Sequence, residues 1–136
     1  MTAAPQSGYS GTPLARKLGI RAGARCAVLA SPPGFAERLE DVLAPHTRLR
    51  GSFDVIVQFA DRVATLERRL GPLIAALEPH GGLWIAWPKR TSGVATDLDE
   101  HVVRATLLAT GLVDNKVCAI DETWSGLRFV RRLTDR

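Results

Sequence analysis

The sequence predicts an α/β fold: a three-layer α/β/α sandwich whose mostly parallel sheet ends in an antiparallel strand. Three observations carry this expectation. Apolar strand-like runs alternate with stretches at helical spacing, a pattern that builds a parallel sheet with helices on both faces. The run Leu83-Trp84-Ile85-Ala86-Trp87 is apolar at every position, so both its faces must be covered, as in a central strand. Only a short loop, Asp121–Gly126, separates the last two strand-like runs, and so short a connection makes them antiparallel.

Residues 1–8 are small and polar, a mobile start to a single domain over 9–136. Thr12 is placed as an N-cap and Pro13 as the first residue of a short helix, with Leu14 and Leu18 one turn apart and Gly19 ending it. Arg25–Ala30 is the first strand, stopped by Ser31-Pro32-Pro33-Gly34. Phe35, Leu39, Val42 and Leu43 then recur at helical spacing, and Pro45 closes that helix. A very short strand fits around Thr47–Leu49. Phe53–Phe59 is the next strand, followed by a helix with Val63, Leu66, Leu70, Leu73, Ile74 and Leu77 on one face. Gly71-Pro72 should kink or split it. Glu78–Gly82 turns the chain into the central strand, and Thr91–Ala95 is loop. Two overlapping caps, Thr96 with Asp99 and Asp97 with Glu100, open a helix to Thr110, the second being the better capping box. Gly111 ends that helix, and strands at Leu112–Ile120 and Leu127–Leu133 finish the chain.

At 136 residues the chain suffices for one domain with a real core, and 46% apolar with 24% charged residues is ordinary for a globular protein. No apolar run reaches membrane-span length, and the N-terminus lacks a charged n-region and an apolar h-region; a cytoplasmic protein without a membrane partner is expected. The net charge of +4 comes almost wholly from arginines scattered along the chain. They form no continuous basic stripe with interleaved aromatics, which argues against nucleic acid as a partner. This Arg-, Ala-, Gly- and Pro-rich usage suggests a bacterial source. Cys26 and Cys118 lie far apart within apolar runs, without C-x-x-C spacing or a His cluster, so buried thiols are expected and a metal site is not.

From Phe53 onward the order resembles the second half of a class I S-adenosylmethionine-dependent methyltransferase. The strand Phe53–Phe59, the helix Val63–Leu77, the turn Leu77-Glu78-Pro79-His80-Gly81-Gly82 of that family's Leu-x-Pro-x-Gly-Gly type and the strand Leu83–Trp87 carry the likeness. It implies a shortened Rossmann-like, methyltransferase-like fold. The first half departs from the family. Ser31-Pro32-Pro33-Gly34 stands in place of a Gly-rich cofactor turn with an acidic residue at the strand end, and no acidic residue lies between His46 and Ser52 to hold a ribose. Two prolines also withdraw amide donors that would face the cofactor. The expectation is therefore no cofactor, with S-adenosylmethionine the one the resemblance would allow. Nearly the full chain is also similar to a bacterial domain family of unknown function, through Gly8-Tyr9-Ser10-Gly11-Thr12-Pro13-Leu14-Ala15, Trp87-Pro88-Lys89 and Val117-Cys118-Ala119-Ile120-Asp121-Glu122-Thr123-Trp124-Ser125-Gly126-Leu127. That likeness implies a small soluble protein and supplies no activity.

Open α/β sheets bind ligands at the carboxyl ends of their strands. Four segments should meet there, offering Ser31, Gly34, Asp61, Lys89, Arg90, Asp121 and Thr123, with Phe59, Trp87 and Trp124 as walls. Apolar surface with a few convergent polar groups suits a small ligand, and Lys89 near a helix start would favour an anion. Structural readings compete with this one. Lys89 can equally form a salt bridge with Asp121 or Glu122, Trp84 belongs in the core, and for Trp87 and Trp124 packing is the leading account. The expected function is a binding or regulatory module for a small anionic ligand or a protein partner, with enzymatic activity disfavoured. The alternative is a small enzyme using Lys89, Asp121 and His101.

Overall fold

The computed structural model describes residues 13–136; the segment 1–8, the Thr12 cap and the string Gly8–Thr12 lie outside them. Strands β1 (Cys26–Leu29), β2 (Phe53–Phe59), β3 (Leu77–Pro88), β4 (Val113–Ala119) and β5 (Trp124–Val130) form one sheet in the order β1-β2-β3-β5-β4. The first three run parallel, and β5 lies antiparallel to both β3 and β4. The apolar run 83–87 is thus central, as its two-faced hydrophobicity requires. Helices α1 (Leu14–Lys17), α2 (Val63–Ala75) and α3 (Glu100–Leu108) complete the layers.

Successive residues of β3 point to opposite faces. Leu83, Ile85 and Trp87 enter one core with Leu66 and Leu73 of α2 and Val103 and Leu107 of α3. Trp84 and Ala86 enter the other with Leu14, Ala15, Leu18, Phe35 and Leu39. Trp84 is fully buried and its indole N–H donates to the Leu18 carbonyl at 2.8 Å, so the polar tip of the largest core side chain stays satisfied. On β5, Gly126 makes room for that ring, since a Cβ there would stand 3.1 Å from Trp84 Cε3.

Several local expectations are corrected. The helix expected from Phe35 is only a 3₁₀ turn, Ala36–Leu39. Val42 and Leu43 fold back onto the Leu39 carbonyl (2.9 and 3.0 Å), and the chain leaves so that His46 can pair beside β1 through His46 N to Cys26 O and Val28 N to His46 O, both 2.8 Å. That bridge, between Ala27 and His46, is all that remains of the strand expected at 47–49. α2 is not split: it runs unbroken through Pro72, where Gly71 and Pro72 are exposed and the ring stands in solvent. The expected turn over 78–82 is strand with a bulge, where Phe53 faces Leu77 but Val55 faces Gly82. β5 starts at Trp124 and ends at Val130, rather than spanning 127–133. The Asp121 carboxylate accepts from both Thr123 N and Trp124 N at 2.8 Å, closing the hairpin early.

The cap assignment is corrected as well. Asp99 caps α3, accepting from Val102 N at 2.8 Å. Asp97 instead accepts from Val63 N at 2.8 Å, at the start of α2, while the Thr96 hydroxyl donates to Asp61 O at 2.7 Å. The loop before α3 therefore stitches two helices together.

Candidate ligand crevice at the strand ends

Parallel register puts Leu29 of β1, Gln58 of β2 and Ile85 of β3 on one line. The double-proline bend and the Pro88-Lys89 tip consequently share a rim. The β4–β5 hairpin joins them there, since Pro88 faces Trp124 and Lys89 N donates to Thr123 O at 2.8 Å.

The bend after β1 is held in an uncommon conformation. Ala30 has φ +56°, the only non-glycine with positive φ among the described residues, and Gly34 has φ +87°. A left-handed alanine costs roughly 1–2 kcal/mol, and such strain clusters at functional sites. The turn it opens presents Pro32 and Pro33, neither of which has an amide proton.

Aromatic rings fill the space beyond. Phe35 meets Phe59 edge-on at 4.8 Å, and Phe59 meets Trp124 edge-on at 5.0 Å. Phe35 and Phe59 are each 2% exposed. Above them Arg38 reaches across to Asp121 at 3.4 Å and to the Ile120 carbonyl at 3.3 Å. What remains is an open cleft of about 350 Å³ between Pro32, Gly34, Arg38, Asp121, Thr123 and Trp124.

Of the residues singled out from the sequence, the fold gathers Gly34, Asp121, Thr123 and Trp124 around this cleft. Ser31 is half-buried in the bend and does not line the cleft. The expected wall Trp87 is 4% exposed on the opposite face, packed with the α2 and α3 core. Phe59 is level with Ala86, not Trp87, so strand alternation sends the tryptophan the other way. The ion-pair partner of Asp121 is Arg38, whereas the competing reading for Lys89 pairs it with Asp121 or Glu122. Arg90 pairs with Asp99 at 3.3 Å beside α3, and exposed Asp61 receives Thr96 through its carbonyl. His101 is exposed in the first turn of α3. Arg38 is the residue that sequence reasoning missed; its position one turn after Phe35 was the available signal. Among the described residues no group of three or more His, Cys, Asp or Glu is placed to hold a metal ion, and no helix is long and apolar enough to cross a membrane.

No protein-family model matches the chain, and no curated protein does. Solved structures do. The chain is similar to magnesium protoporphyrin IX methyltransferase from Synechocystis PCC 6803 with bound SAH, at 10% identity over 82% of this chain and 75% of that one, TM-score 0.60. A SAM dependent methyltransferase from Aquifex aeolicus gives 13% identity, 84% and 85% coverage and TM-score 0.60. A TehB-like SAM-dependent methyltransferase from Corynebacterium glutamicum gives 12% identity, 92% and 90% coverage and TM-score 0.56. At these identities the likeness establishes the fold: Rossmann-like and methyltransferase-like, in shortened form.

Proposed function

We propose that this chain is a methyltransferase-fold domain whose cofactor crevice is closed, and that it works as a non-catalytic binding or regulatory module. One observation carries the reading: Phe35, Phe59 and Trp124 pack edge to face in the crevice, and Arg38–Asp121 spans it. S-adenosylmethionine, which the fold implies, does not suit these residues. Pro32 and Pro33 offer it no amides, the 46–52 segment beside β1 offers no carboxylate for its ribose, and aromatic side chains occupy the floor. The cleft that is left, about 350 Å³, lies at the small end of ligand pockets and suits a compact polar molecule or a partner's side chain.

The enzymatic alternative draws less from the geometry. Asp121 is committed to Arg38 and to two hairpin amides, whereas His101 belongs to α3, which covers the opposite face.

Titration calorimetry and thermal-shift assays with S-adenosylmethionine and S-adenosylhomocysteine test the reading. Neither should bind or raise Tm; saturable stabilisation by either overturns it. Trp84 and Trp87 are buried while Trp124 is half-buried at the cleft, so quenching of Trp124 fluorescence reports a ligand that does enter.

A further inference from the structure

The face covered by α1 carries a second, cationic cleft that shares no lining residue with this crevice. Arg128 of β5 lies between Trp84 of β3 and Lys116 of β4 in the sheet register, toward the end of the sheet where Gly82 faces Val55. Its side chain passes over Gly82, whose missing Cβ makes the space: a methyl there would collide with the guanidinium. Burial pulls the proton affinity of Arg128 below its usual value, and nearby Arg136 acts the same way, yet an arginine stays charged. Among the described residues no hydrogen bond or ion pair neutralises it. Half-buried charge without a counter-charge is costly.

Two clefts share Arg128 and Gly19. The first, about 230 Å³, is lined by Lys17, Lys116, Arg128, Asn115 and Trp84, with no carboxylate among its lining residues. The ammonium groups are anchored at its mouth, Lys116 Nζ donating to Lys17 O at 2.9 Å and Lys17 Nζ to Ala119 O at 3.3 Å. One carbonyl uses one of the three protons of Lys116 and none of its charge. The second cleft, about 340 Å³, continues past Arg21 and His80 and includes Asp54, whose carboxylate accepts from Arg25 N at 2.8 Å. Three cations and an amide around a space this size form a receptor for a compact anion, and a guanidinium fork matches phosphate oxygens in pairs.

We propose that this cleft binds the phosphate group of a small molecule, with Arg128 as the anchoring fork, Lys116 and Lys17 as charge partners, and the second cleft receiving whatever the phosphate is attached to. This site shares no lining residue with the crevice and does not rest on its being closed.

The test is thermal-shift titration of the full chain with inorganic phosphate and with glycerol 3-phosphate, ionic strength being held constant with chloride. Both should stabilise saturably, by roughly 8 °C at about 100 times Kd. Tighter binding of the ester indicates a phosphorylated metabolite, and equal binding indicates free phosphate. Arg128→Met should abolish the response. Lys116→Met, at an exposed position on β4 and so safe for folding, should weaken it about tenfold, the usual scale for one charge-assisted contact. Stabilisation no greater than chloride gives, or equal responses in wild type and Lys116→Met, would overturn the proposal.

Discussion

The two cysteines show what burial does to one atom. Cys26 is fully buried in β1, and burial pushes its thiol up to about 12. Cys118 on β4 is 8% exposed; burial raises it too, against the pull of Lys17 and Lys116. Thiolate is the reactive form, so at pH 8 iodoacetamide should label Cys118 first and Cys26 only on unfolding. Native labelling of Cys26 at the rate of a free thiol, followed by mass spectrometry, would contradict this. The linkage has a definite sign: the folded state holds the Cys26 proton more tightly, so its contribution is intact below the ordinary value of 9.0 and is lost as pH rises toward about 12. That both thiols are buried was legible, because each stands in an apolar run. Side within a strand was not. Trp87 and Phe59 share the carboxyl rim, but only the register, Phe59 with Ala86, reveals that they face apart.

Among the elements, α3 depends on a single carboxylate. Asp99 is held below the usual carboxylate range, first by the Val102 amide it accepts from and then by Arg90, with His101 adding to the same pull. A depressed folded value means the contribution is present above the ordinary value of 3.8 and disappears as pH falls through the folded one. Acidification below about pH 4 should therefore loosen the first turn of α3, seen as faster exchange and a shifted resonance of the Val102 amide. Asp99→Asn keeps an acceptor and should flatten that dependence; Asp99→Ala should also lower Tm by a few degrees. A Val102 amide indifferent to pH in the wild type would refute the assignment. The existence of α3 was readable from its apolar spacing, but its cap was not. Thr96, Asp97 and Asp99 are all competent cap residues, and nothing local says that Asp97 serves the helix preceding it in the chain.

For the molecule as a whole, legibility divides at β2. From there on, helices and strands alternate with strong periodicity and short connections, and sequence and structure agree on element order. Segment 30–52 was misread because its apolar residues are placed by long-range partners: Leu39 and Phe35 by the sheet, His46 by β1. The same difference should appear in stability. β2 and β3 have strands on both sides, whereas β1 has only the His46 bridge beyond it and β4 is an edge with Asn115, Lys116 and Val117 exposed. Between β1 and β2 one 3₁₀ turn supplies the regular backbone bonding. Regions with few buried contacts and few backbone bonds open well below the global free energy. Native-state hydrogen exchange should rank 83–87 and 55–59 slowest, β5 next, and 36–51 and β4 fastest. Exchange of 36–51 only through global unfolding would show that segment to be fused to the sheet. The same opening would lift Phe35 and Arg38 away from Phe59 and Asp121; substituting Asp121→Asn, which removes the ion pair but keeps an acceptor for the hairpin amides, should speed exchange in 36–51 while leaving 83–87 unchanged.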